Sequence, residues 1–146
     1  MPPHVLLDTN IVLDYIFERK PFFDDADGVI RMTVDYEGNP AISASSVTDI
    51  FYLFDRMTHS RDLSRKLLDK LLFLVRVVDT TADDIYYALG SDMEDYEDAV
   101  VAQVALSGDF DYIVTRNTRD FAYGPVAAIT PKELLEKLAE QELADD

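Results

Sequence analysis

Short apolar runs alternate along the chain with longer amphipathic stretches. His4 to Leu7 is apolar at consecutive positions and stops at Asp8, the pattern of a short strand buried on both faces. Thr9 or Asn10 can cap a helix from Ile11 to about Arg19, which Lys20-Pro21 ends. A second helix is expected from Phe23 to about Tyr36, closed by Gly38-Asn39-Pro40. Ala41-Ile42-Ser43 reads as an inner strand, and Ser45 or Ser46 as the cap of a helix reaching about Met57. Leu63, Leu67, Leu71 and Leu74 form a helical stripe over Arg61 to Leu74. Arg76 to Asp79 is a further strand, and Thr81 starts a helix with Asp83 and Asp84 in its first turn. Glu94 to Leu106 reads as a helix ending at Ser107-Gly108, Asp111 to Thr115 as a strand, and Val126 to Ile129 as a short one. Thr130, Pro131 and Glu133 are the cap, first position and box residue of a last helix.

Strands that alternate with helices predict an α/β protein, a three-layer α/β/α sandwich around a short, mostly parallel sheet. Residues 1–142 are expected to form one domain, with 143–146 as a frayed acidic tail. No apolar run approaches the length of a membrane span, and the start, Met1-Pro2-Pro3-His4, lacks a basic export signal, so the expected location is the cytoplasm. Without cysteine and with two histidines, thiolate and His-rich metal sites are excluded.

In a parallel sheet, functional side chains collect at the carboxyl ends of the strands. Asp8 follows the first strand, and Asp49 lies near the start of the helix after the second. Asp95 and Asp98 open the helix before the late strand, while Asn117 and Asp120 follow that strand. Four segments thus send oxygen ligands to one edge, which suits Mg²⁺ or Mn²⁺. Such ions activate water for phosphoryl displacement without a Ser, His or Cys nucleophile. Each acid also has a plainer reading: Asp8 as a helix cap, Asp49 as a helix-start charge, Asn117 as a turn residue. Asp14 reads as a solvated residue or as a partner of the site's ligands. Thr115 can hold a neighbouring carboxylate by its hydroxyl or simply pack in the strand.

Leu6-Leu7-Asp8-Thr9-Asn10-Ile11-Val12-Leu13-Asp14 resembles the opening of PIN domains. Ala44-Ser45-Ser46-Val47-Thr48-Asp49-Ile50, then Asp95-Tyr96-Glu97-Asp98-Ala99, then Val114-Thr115-Arg116-Asn117-Thr118-Arg119-Asp120-Phe121 resemble the family's later segments in order. The resemblance covers nearly the whole chain. It implies a Mg²⁺- or Mn²⁺-dependent ribonuclease similar to the VapC-type toxins of toxin–antitoxin pairs. Asp8, Asp49, Asp98 and Asn117 then take the metal-binding and catalytic positions, with Asp95, Asp120, Thr115 and Asn10 as additional site residues. The implied partners are an RNA substrate, an antitoxin protein and a second copy of the chain. Two positions depart from the family: Asp49 stands where Glu is usual, and Asn117 where Asp is frequent. Asn117, together with the chain's negative charge, supports an alternative, a PIN scaffold with weakened catalysis acting as a protein-binding module.

Two other α/β families with strand-end acids fit poorly. A phospho-accepting receiver needs an acidic pair at the first strand, and a haloacid-type phosphatase needs an acid two residues after the first; Asn10 occupies that place.

Charge alters the picture. Acids number 29 against 13 bases, a formal net charge of −16. Such a polyanion repels nucleic acid unless bases gather locally. Arg116 and Arg119, flanking the acidic edge, are the candidate RNA contacts. Arg56, Arg61, Arg65, Lys66, Lys70 and Arg76 form a second basic stretch, offset only by Asp62 and Asp69. Lys132 and Lys137, on the last helix, are expected to take no part.

Overall fold

The computed structural model describes residues 2–145, the side chain of Asp145 excepted. Met1, in the leader reading, and Asp146, in the expected tail, lie outside the described residues.

Five strands form one parallel sheet: β1 (Val5–Leu7), β2 (Ala41–Ser43), β3 (Arg76–Val78), β4 (Tyr112–Val114) and β5 (Ala128–Ile129). Their spatial order is β3-β2-β1-β4-β5. The register sets Leu6 opposite Ala41 and Ile113, and Val114 opposite Ile129. The chain runs outward from β1 to β3, then returns to β4 on the other side. The order therefore reverses between β1 and β4, which is where open parallel sheets leave a crevice at their carboxyl ends.

Alternation along the strands divides the core in two. Val5, Leu7, Ile42, Val114 and Ile129 pack with α1 (Thr9–Ile16), α2 (Phe23–Thr33), α3 (Ala44–Thr58), α4 (Arg61–Leu74) and α7 (Pro131–Asp145). Leu6, Ala41 and Ile113 pack against α5 (Ala82–Leu89), α6 (Tyr96–Ser107) and a one-turn 3₁₀ helix, Thr118–Phe121. This is the expected three-layer α/β/α sandwich. Among the described residues no helix is long and apolar enough to cross a membrane.

Three differences from the sequence reading have local causes. The α4 stripe faces the core at Leu67, Leu71 and Leu74 as expected but begins one residue later: Ser64 is fully buried while Leu63 is 46% exposed. The hydroxyl of Ser64 meets that of Thr58 at 2.9 Å, which gives that face a polar anchor on α3. Helix α6 begins at Tyr96 rather than Glu94, because the Asp95 carboxylate caps it through the Asp98 N–H at 2.9 Å. Helix α7 continues to Asp145, past the boundary at residue 142, since 139–144 hold good helix formers and no breaker. The 3₁₀ turn at Thr118–Phe121 has no periodic signal, and it was not foreseen.

Helix α5 is fastened to α6 by Asp84. Its carboxylate completes a capping box with Thr81 and accepts a hydrogen bond from the Ser107 hydroxyl. Helix α6 carries no polar stripe on its middle turns: Ala99, Val100, Val101, Ala102, Val104 and Ala105 are all buried. Its small side chains allow it to lie close to the sheet. Ala102 is wholly buried. Enlarging it forces the helix away or distorts rotamers, so Ala102→Leu should destabilise the fold by about 2 kcal/mol. Thermal melting of this variant beside Leu106→Ala, at a half-exposed position, checks the expectation; equal melting temperatures would contradict it.

Candidate active site

Asp8 lies immediately beyond β1, its backbone N–H bonded to the Val114 carbonyl of β4 at 2.9 Å. Its side chain does what both readings of the sequence asked. One oxygen caps α1 by accepting the Thr9 N–H at 2.9 Å. The other accepts the Thr115 hydroxyl at 2.8 Å and the Asn10 carboxamide N–H at 3.4 Å. Asn10 also donates to the Thr115 hydroxyl at 3.3 Å, while its oxygen accepts the Arg116 N–H at 3.4 Å. Asn10 and Thr115 therefore tie the loop after β4 to the carboxylate after β1.

A cleft of about 260 Å³ opens beside this junction. Asp8, Asp49 and Asp98 all line it, arriving from the ends of β1, α3 and α6. Asp49 is exposed, one turn and a half into α3, and Asp98 is half-buried in the first turn of α6. Ser45, Ser46, Tyr96 and Glu97 complete the polar lining, and Leu53, Ile85, Val100 and Val101 give it an apolar wall. Sequence reasoning missed Ser45 and Ser46 as site residues, treating them only as possible caps. In fact Ser43 is the cap position of α3, and its hydroxyl meets those of Ser45 and Ser46 at 3.0 and 2.8 Å.

Electrostatics mark Asp8 and Asp98. Burial raises the Asp98 pKa from its ordinary 3.8 to about 7, and the charges of Asp8, Asp95, Asp120 and Glu97 push the same way. Burial also raises Asp8, against the hydrogen bonds from Thr115 and Thr9; Asp120 and Asp95 add to the rise. Asp95 and Asp120 are both exposed, and neither lines the cleft, but their charges bear on the two carboxylates that do. Crowded carboxylates with raised pKa values, all hard oxygen donors, are chemically suited to a divalent ion such as Mg²⁺ or Mn²⁺. As the side chains stand, no three His, Asp or Glu among the described residues are grouped closely enough to hold one ion. The three aspartates share a cleft, and drawing them onto one ion requires side-chain movement.

Asn117 is placed elsewhere. It is exposed and lines a neighbouring cleft with Asp14, Phe22 and Arg116. Its backbone N–H donates to the Thr115 hydroxyl at 3.1 Å, so its link to Asp8 runs through Thr115. Asp14 is not solvated: it is fully buried. It receives Arg116 Nε at 2.7 Å, and Arg19 stands at 3.7 Å. The Arg116 guanidinium also lies 3.9 Å from the Phe22 ring centroid. Arg116 is therefore committed to a structural ion pair, whereas Arg119 is exposed on the 3₁₀ turn. None of Arg56, Arg61, Arg65, Lys66, Lys70 and Arg76 lines the carboxylate cleft.

Two outcomes follow. Arg116→Ala leaves the buried Asp14 carboxylate with only the long contact to Arg19. It should cost about 3 kcal/mol, or roughly 10 °C of melting temperature; a melting temperature within a degree or two of the parent's would contradict the pairing. For Asp98, the folded pKa exceeds the unfolded one. Below its ordinary pKa of 3.8 both states are protonated and nothing is lost. From there to about 7 the unfolded chain releases a proton that the folded chain keeps, so the metal-free protein loses stability as pH climbs. Asp98→Asn should flatten that decline in melting temperature between pH 4 and 8, and an unchanged slope would count against it.

A family model of the PIN domain matches residues 4–119. No curated protein sequence matches the chain. Among solved structures, the DNA-bound VapBC of Salmonella typhimurium aligns with a TM-score of 0.69 at 18% identity, covering 90% of this chain and 99% of that one. A toxin–antitoxin complex from Klebsiella pneumoniae aligns at 0.63 and 22% identity, over 87% and 97% of the two chains. VapC20 of Mycobacterium tuberculosis, a sarcin–ricin-loop-cleaving toxin, aligns at 0.59 and 16% identity, over 75% and 86%. At these identities the likeness is one of fold. The family match spans Asp8, Asp49, Asp98 and Asn117 together with strands β1 to β4, and this chain belongs to the PIN-domain family.

Proposed function

We propose that the chain is a divalent-metal-dependent endoribonuclease, the toxin member of a toxin–antitoxin pair. One observation carries this reading: Asp8, Asp49 and Asp98 come from three separate elements to one cleft at the sheet's switch point. An aspartate cluster serves no evident packing purpose there, and burial makes the charge of Asp8 and Asp98 costly. When bound, Mg²⁺ or Mn²⁺ supplies Lewis-acid charge and an activated water. Asp8, Asp49 and Asp98 are the residues that would hold it. Thr115 and Asn10 fix the Asp8 carboxylate in place, and the apolar wall of Leu53, Ile85, Val100 and Val101 limits water on one side. Asp95 and Asp120 add negative potential that favours cation entry. Arg119, exposed on the 3₁₀ turn after β4, remains a candidate contact for an RNA phosphate.

The structural relatives include toxin–antitoxin complexes, which supports an antitoxin partner here. A surface of net charge −16 suits a basic partner segment. The second reading, a binding module without catalysis, is favoured by Asn117, which brings no charge and lines a different cleft.

Cleavage of single-stranded RNA in Mn²⁺ separates the two. The parent should cleave, and Asp98→Asn should reduce the rate by about a hundredfold or more, as expected when charge stabilisation at a reacting centre is lost. Cleavage that persists undiminished in Asp98→Asn points to a contaminating nuclease and removes the site assignment. An inert parent across Mg²⁺ and Mn²⁺ moves the reading to the binding module.

A further inference from the structure

The cleft holding Asn117 has its own construction. It measures about 300 Å³ and is lined from α1, the start of α2 with the residue before it, the loop after β4 and the start of α7. In the sheet, β1, β4 and β5 are consecutive neighbours. Asp8 follows β1, Arg116 and Asn117 follow β4, and Thr130 to Lys132 follow β5. The second cleft therefore begins one to two strand spacings from Asp8, roughly 5–10 Å along the same edge.

Its floor is a fixed platform. Arg116 lies against Phe22, and the Asp14 carboxylate neutralises it, with Nε–Oδ2 at 2.7 Å and a second contact at 3.4 Å. That leaves the platform with little charge of its own. Two groups above it are uncommitted. Lys132 is exposed and makes no salt bridge among the described residues, and the Asn117 carboxamide makes no hydrogen bond among them. Asp25 lines the same cleft and supplies a carboxylate acceptor. A cation and an amide donor beside a flat Arg–Phe face, with one acceptor, match a nucleotide: a phosphate for Lys132 and Asn117, a base for the flat face, an amino or hydroxyl hydrogen for Asp25.

We propose that this cleft binds the nucleotide adjoining the cleaved phosphodiester, with Lys132 as its phosphate contact. The inference rests on the nuclease reading for its place in the reaction, but not for its existence as an RNA-binding cleft. It reverses the sequence expectation for Lys132, which α7 had appeared to carry far from the site. It also explains how a chain of net charge −16 can seat RNA: a cation without a salt bridge among the described residues stands where one flanking phosphate falls.

Binding and cleavage are measured separately. A fluorescent tetraribonucleotide is titrated in Ca²⁺ and followed by anisotropy at several salt concentrations. Lys132→Ala should weaken binding about tenfold and lower the salt slope by about 0.7, the contribution of one phosphate contact in a single strand. Lys132→Arg should restore most of the affinity, and Lys137→Ala, further along α7, should match the parent. Phe22→Leu, which removes the flat face, should weaken binding without changing the salt slope. Lys132→Ala binding as tightly as the parent, or a parent that binds no RNA, overturns the proposal. Cleavage by the parent in Mn²⁺ reports on the other reading: RNA bound through Lys132 yet left uncut upholds the cleft and rejects the nuclease.

Discussion

The hydrogen bond from the Thr115 hydroxyl to the Asp8 carboxylate, 2.8 Å long, joins the ends of the two strands between which the sheet order reverses. Much of the local architecture serves this contact. Parallel pairing of β1 with β4 brings Leu7 opposite Val114, so the next residue of each strand emerges at the same height. Asn10 then bonds both partners, and Asn117 donates its backbone N–H to the same Thr115 hydroxyl. A carboxylate whose pKa burial raises is kept oriented by donors from Thr9, Thr115 and Asn10. Without that support the Asp8 side chain would have only its capping role on α1, and its second oxygen would have no fixed direction.

The ion pair of Asp14 with Arg116 supports the same loop from below. Asp14 is two turns into α1 from the Asp8 cap, and Arg116 is the residue after Thr115. A buried pair of this kind contributes little net stability compared with apolar packing, but breaking it is costly. Its effect is to specify one arrangement of the loop after β4, which a run of small apolar contacts would leave free to slide. Phe22 finishes the arrangement by covering the guanidinium. The loop thus has a rigid carboxylate on one side and a rigid aromatic stack on the other, and the two clefts differ in character for that reason.

How much of this could be read from the chain depends on how local each signal is. The strands and Asp8 were legible because an apolar run stops abruptly at an acid followed by Thr and Asn. The capping box at Thr81 and the last helix at Thr130-Pro131 were legible for the same reason. Asp14 was not: in a helical stripe it looks like the polar face, and its partner is 102 residues away. The burial of Ser64 in place of Leu63 at the start of α4 goes with a Ser64 to Thr58 contact that hydrophobic periodicity ignores. That Asn117 and Lys132 line one cleft was not legible either, because they lie on separate segments of the chain. Only the position of β5 next to β4 puts the start of α7 beside the loop after β4.

The overall charge is best understood through that geometry. Acids outnumber bases by more than two to one, yet the acids nearest the site are not placed at random. Asp95, whose carboxylate accepts the Asp98 backbone N–H, and Asp120 both act on the Asp8 and Asp98 carboxyl groups by charge, and each raises the cost of leaving that cleft without a counter-charge. Repulsion of this sort weakens the empty fold and strengthens the response to any cation, since binding relieves it. The bases are distributed in the opposite sense. Arg116 is spent on Asp14, whereas Arg119, on the 3₁₀ turn after β4, and Lys132, at the start of α7, are left exposed. The sheet edge therefore runs from a strongly anionic cleft at β1 to uncommitted cations beyond β4. A polyanionic strand laid along it would meet repulsion at one end and attraction at the other until a divalent ion reverses the sign of the first. Cation binding and strand binding are coupled by that field alone, before any contact between them is made.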